Sequence, residues 1–195
     1  MKNIIFNNPS TSACFSAYYG GKCGLPTNIK WPVDKDGYPL LHLATHPGSW
    51  ISELATLHVS IFTPFDVKDC FKHWDLLTTE PSNPSKIIIH DNSGDLRDEF
   101  SEMYKNSGEL QLNIDERLDS TSAFCSKIST DIAWLQDVDA INNHQCLSML
   151  DGSEFDNTYT EPAIFTDGYI YCFFRKSWET AQQGDCIGAI AFQFS

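Results

Sequence analysis

Glycine and proline crowd the first quarter of the chain. Gly20-Gly21-Lys22-Cys23-Gly24-Leu25-Pro26, Trp31-Pro32, Gly37-Tyr38-Pro39-Leu40 and Pro47-Gly48 follow one another with little between them. Proline fixes φ and removes an amide donor, and glycine opens the left-handed region, so this density forbids a helix and dictates turns. At least one of Gly20, Gly21 and Gly24 is expected at positive φ. What can follow such punctuation is a set of short extended runs. Leu40 to Ala44 reads as a buried strand, and Leu57 to Phe62 alternates apolar and polar residues. Ile87-Ile88-Ile89 is β-branched, and Leu110 to Ile114 alternates. Cys146 to Leu150 is a strand candidate ended by Asp151-Gly152. Asp167-Gly168 turns the chain into the aromatic run Tyr169 to Phe174, and Gly188 to Phe194 makes the last strand.

Helical spacing is rarer. Val67, Cys70, Phe71 and Trp74 recur at the period of an amphipathic helix over 66–77, and Leu96 to Tyr104 has room for a helical turn or two. The expectation is one α+β domain over 1–195, mainly antiparallel sheet with a few short helices. Each half runs from a turn-rich segment through a Trp element into a strand, the pattern of a worn internal duplication. With 195 residues, 42% of them hydrophobic and 13% aromatic, the chain can bury a sizeable core and is not compositionally disordered.

The charge is strongly acidic and unevenly placed. The formal net charge is −13. Residues 91–167 hold 17 acids against four basic side chains, while the stretches on either side are each neutral. Such a balance repels nucleic acid and anionic lipid and attracts a basic partner. No apolar stretch approaches the roughly 18 residues that cross a bilayer, and Ile4-Ile5-Phe6 is too short for a signal-peptide core, so a cytoplasmic protein is expected. The seven cysteines form no C-x-x-C and read as reduced thiols.

The side chains that carry chemistry do not assemble into a motif. His42 and His46 have helical ligand spacing, but Pro39 and Pro47-Gly48 deny them a helix. On a strand, four positions span about 13 Å, too far for one metal. His58 sits at the polar position of an alternating strand and reads as solvent-facing. Cys23, between glycines, is the best single nucleophile candidate, and a small residue filling a tight turn is the plainer reading. There is no G-x-S-x-G elbow, GxGxxG or P-loop. The tryptophans Trp31, Trp50, Trp74, Trp134 and Trp178 read as packing residues. Neither a catalytic centre, a metal site nor a cofactor is expected.

The succession Gly20-Gly21, Leu25-Pro26, Trp31-Pro32 and Gly37-Tyr38-Pro39-Leu40 resembles the opening of the YwqG-like family of bacterial domains. Trp134-Leu135-Gln136, Leu147 to Gly152, and Asp167-Gly168 leading into Tyr169 to Phe174 resemble its later landmarks, over most of the chain from Tyr18 onward. Ala44-Thr45 stands where the family has Ala-Gln, and Ser129-Thr130 where it has Gly-Gly, so the resemblance is to a divergent member. Families of this kind are often encoded beside polymorphic toxins, and the resemblance thus implies a non-enzymatic immunity protein that blocks a toxin with a basic surface. The acids expected to dock it are Asp91, Asp95, Asp98, Glu99, Asp115, Glu116 and Asp119. A small-molecule or peptide-binding module, its pocket lined by the Gly-rich opening and the aromatic C-terminal strand, is the second reading. An unrecognised hydrolase is the third.

Overall fold

The computed structural model describes residues 2–7, 16–53, 55–65, 77, 83–92, 95–97, 99, 107–114, 125–132, 143–155, 165 and 168–194. They form ten strands: β1 Lys2–Phe6, β2 Tyr18–Tyr19, β3 Leu41–Pro47, β4 His58–Thr63, β5 Lys86–His90, β6 Gly108–Asn113, β7 Lys127–Ile128, β8 His144–Asp151, β9 Gly168–Arg175 and β10 Cys186–Phe194. Every pairing is antiparallel, and the order β1-β6-β2-β3-β4-β5-β10-β9-β8-β7 closes on itself through β7 and β1. Closure leaves no open edge in the sheet.

The α+β expectation is corrected by this closure. Among the described residues the only helical geometry is three 3-10 turns, Gly48–Trp50, Gly152–Phe155 and Trp178–Thr180. An open sheet needs helices to cover an apolar face. Here the strands cover one another's inner faces, and coil segments cover parts of the outer face. Of the helix expected over 66–77 only Leu77 is described. Residues 95–97 contain an isolated bridge, not a helical turn.

The pairing pattern has two-fold symmetry. Exchanging β1–β5 with β6–β10 carries each pair onto another: β1–β7 onto β6–β2, β2–β3 onto β7–β8, β3–β4 onto β8–β9, and β4–β5 onto β9–β10. The pairs β1–β6 and β5–β10 map onto themselves. Even the irregularities correspond. The register of β3 against β4 shifts between His42 and Ala44, and that of β8 against β9 between Cys146 and Ser148. Each shift is followed by a 3-10 turn opening at Gly48 or Gly152.

The shift inserts Leu43 as an extra residue, a bulge that changes which face later side chains take. His42 lies opposite Phe62 and His46 opposite Val59, three residues apart on a regular strand. The two histidines therefore point to opposite faces. Inward-facing residues such as Leu43, Val59, Ile61, Ile87, Cys172, Phe174 and Ile190 form one buried cluster that fills the bore. Two smaller clusters lie outside the wall. Cys23, Leu25, Trp31, Leu40, Phe62 and Ile88 pack under residues 20–40, which are called the flap below. Ile132, Cys146, Met149, Tyr171, Phe173 and Ala191 occupy the corresponding place in the second half.

Candidate functional site

Beneath the flap the outer wall carries polar side chains where its counterpart is largely apolar. Thr45 and Ser60 face each other across β3 and β4, and Tyr18 lies opposite Thr45 on β2. The symmetry places Met149, Tyr171 and Lys127 at the matching positions. His42, Thr45, Ser60, His90 and Cys23 are all buried. Buried polar groups must be paired, and these are, in a chain whose direction can be assigned.

The Asn92 amide donates to His90 Nδ1 at 3.0 Å. Nδ1 is therefore the bare nitrogen of a neutral ring, and Nε2 carries the hydrogen and donates to Ser60 Oγ at 2.6 Å. Ser60 then donates to Thr45 Oγ1 at 2.5 Å, and Thr45 donates to His42 Nε2 at 2.9 Å. His42 finishes the chain by donating from Nδ1 to the Gly21 carbonyl at 3.4 Å. Each hydroxyl donates once and each ring is neutral. Burial holds His42 at about 4 against its ordinary 6.5, which suits the neutral ring. Cys23 Sγ lies 3.4 Å from Ser60 Oγ. Tyr18 accepts from the Gly24 amide at 2.7 Å and donates to Asn92 Oδ1 at 3.2 Å. Burial, helped by Cys23, pushes its phenol up.

The Ser60–His90 distance is that of a nucleophile and its base, but the wiring runs the other way. A base must accept the serine proton, whereas His90 in this tautomer donates to Ser60. Cys23, the sequence's nucleophile candidate, is enclosed with them. The assembly fastens the flap to the sheet. Gly20 and Gly21 both adopt positive φ, 62° and 63°, as expected. Gly24 is favoured for a different reason: a Cβ there would lie 2.2 Å from Asn92 Oδ1 and would force that side chain off the Tyr18 hydroxyl.

The strand of chain after β5 is fastened to the same flap. The Arg97 amide and carbonyl pair with those of Cys23 at 3.0 and 2.8 Å. Its guanidinium donates to the carbonyls of Pro26 at 3.1 Å and Ile29 at 2.9 Å and lies 5.6 Å from the Trp31 ring centroid. The anchored segment presents Asp95, Leu96 and Glu99 to solvent, with exposed Asp91 just beyond β5. Asp98, Asp115, Glu116 and Asp119 lie outside the described residues. Three of the seven expected docking acids, Asp91, Asp95 and Glu99, are thus exposed among the described residues on either side of the anchored Arg97. The flap also exposes Tyr38, 68% accessible, and Val33 at a hairpin tip. The flap's exposed lysines Lys22, Lys30 and Lys35 stand against its own Asp34 and Asp36, so the flap carries one net positive charge and the carboxylate excess on this side comes from Asp91, Asp95 and Glu99.

Other expectations meet mixed outcomes. His46 points inward and stacks on Trp50 at 5.5 Å with an interplanar angle of 4°. Its Nδ1 donates to the Pro47 carbonyl at 3.0 Å, and its buried Nε2 has no partner among the described residues. Burial lowers it to about 4. His58, read as solvent-facing, is half-buried opposite His90, and burial lowers it as well. No group of three metal-ligating side chains assembles among the described residues. Trp31 and Trp178 are buried as packing residues, while Trp74 and Trp134 lie outside the described residues. The aromatic strand β9 turns its side chains into the core and the second outer cluster, not into a pocket shared with the flap. The network's His90 and Asn92 were missed in sequence. Nothing local marks them: apart from their own contact two positions apart, their partners lie 30 and more positions away.

Matched against models of known families and against curated proteins, the chain finds no match. No helix among the described residues is long and apolar enough to cross a membrane.

Proposed function

We propose that the protein is a cytoplasmic immunity protein, a non-enzymatic and divergent YwqG-like domain that neutralises a toxin with a basic surface. The observation that carries this reading is the anchorage of the acidic loop. Exposed carboxylates on a mobile loop lose entropy when they dock. Asp95 and Glu99 each lie two positions from Arg97, which is held by four hydrogen bonds and an aromatic face, and anchorage so near lowers the ordering cost of docking them. Leu96, at 48% accessibility, adjoins Asp95, and the flap exposes Tyr38 as well, a composition in which apolar and aromatic side chains give affinity and acids steer the approach. The net charge of −13 repels nucleic acid and lipid and suits a cationic partner.

Co-expression with the toxin-like product of an adjacent reading frame tests the reading. The wild-type chain restores growth, and Asp95→Lys/Glu99→Lys with Tyr38→Ala fails to restore it while accumulating to the same level. Equal protection by both forms, or none by the wild type, would overturn it.

A further inference from the structure

A second feature lies on the opposite half of the pseudo-symmetric barrel and uses none of the loop's acids. A cleft of about 210 Å³ opens where β7 and β9 end and β8 begins. Arg175 closes β9, Lys176 follows it, Gln145 lies one residue into β8, and Thr130 follows β7. All four line the cleft and all are exposed. None of their side chains has a hydrogen bond or ion pair to the described protein. The turn that places Lys176 is fixed by its amide donating to the Asn143 carbonyl at 3.1 Å. Leu147 and the buried Trp178 make an apolar floor.

The chain has 13 cationic side chains against 26 acids. Two adjacent cations on a common cleft, with an amide and a hydroxyl beside them and a single carboxylate, Glu179, in the lining, invert the local sign of a strongly negative molecule. A guanidinium offers a planar fork and an ammonium a point charge, and together they match a multivalent oxyanion. The volume suits a ligand of metabolite size.

We propose that this cleft binds a small multivalent oxyanion, the phosphoryl or carboxylate groups of a metabolite-sized molecule. The site is independent of the docking loop, and ligand binding there is expected in Asp95→Lys/Glu99→Lys as in the wild type. Calorimetry with pyrophosphate and, separately, citrate tests the proposal on the full chain at low ionic strength. One of the two binds saturably at a single site, and which one binds distinguishes phosphoryl from carboxylate recognition. Arg175→Gln/Lys176→Gln weakens that binding by more than about tenfold. Glu179→Gln strengthens it several-fold, because the opposing carboxylate is gone, and this guards against reading a misfolded double variant as support. Absence of saturable binding by either anion, binding undiminished in the double variant, or no gain from Glu179→Gln would each overturn the proposal.

Discussion

At the residue scale, the two histidines of β3 give the protein a pH dependence of defined sign. His42 and His46 have folded values of about 4 against an ordinary 6.5, because burial penalises the imidazolium. Between those values the unfolded chain binds protons that the folded chain refuses. Stability therefore falls as pH drops below about 6.5, by up to about 1.4 kcal/mol per pH unit for each ring, and levels off near 4. His58 adds a smaller effect of the same sign. His46→Phe keeps the stack on Trp50 and removes one titration together with a nitrogen that has no partner among the described residues. Urea unfolding at about pH 7 and pH 5 should show the loss of stability reduced by roughly a third to a half in this variant. An unchanged loss would mean that His46 is accessible to protons in the folded state. The spacing of these histidines already argued against a shared metal. Their facing opposite sides was not legible, since a one-residue bulge at Leu43 leaves no mark in a run of apolar residues.

At the scale of elements, the strands were legible and the way they join was not. Alternation in Leu57–Phe62 and β-branching in Ile87–Ile89 are local signals, and β4 and β5 fall where those signals stand. The pairing of β5 with β10 joins residues about a hundred positions apart, and the closure of β7 on β1 joins the chain's start to its third quarter. No short window contains such information, so an open sheet with helices was the natural expectation. The flap is a middle case. Its glycines announced turns, but the hydrogen-bonded chain from Asn92 to Gly21 that holds it down depends on partners from β3, β4 and β5. Gly24→Ala tests that attachment. The new Cβ collides with Asn92 Oδ1 and crowds the Tyr18 hydroxyl. Destabilisation of about 1–3 kcal/mol in urea unfolding is expected. A change below a few tenths would show that the flap moves aside freely.

At the scale of the whole molecule, closure decides which groups are within reach of solvent. Among the described cysteines, Cys186 is exposed and Cys125 half-exposed, whereas Cys23, Cys146 and Cys172 are buried. Burial pushes the Cys172 thiol up to about 12 and raises Cys146 as well, so neither supplies thiolate at neutral pH. Of these five, a thiol reagent on the native protein should modify Cys186 first, then Cys125, and reach the three buried ones only on unfolding. Denaturing, non-reducing titration should count all seven thiols of the sequence. Early modification of Cys23 would mean that the flap opens. Charge was legible along the chain but not in space. The acidic stretch 91–167 contains β6, β7 and β8, which with β1 form one arc of the barrel, and of the expected docking acids only Asp91, Asp95 and Glu99 fall among the described residues. Docking through those three acids is tested by the association rate with the adjacent frame's toxin, measured by stopped flow at low and high salt. The wild-type rate should fall steeply with salt. Asp95→Lys/Glu99→Lys should associate about tenfold more slowly at low salt, with a flattened salt dependence and little change in melting temperature. Identical rates for the two proteins at both salt levels would contradict it.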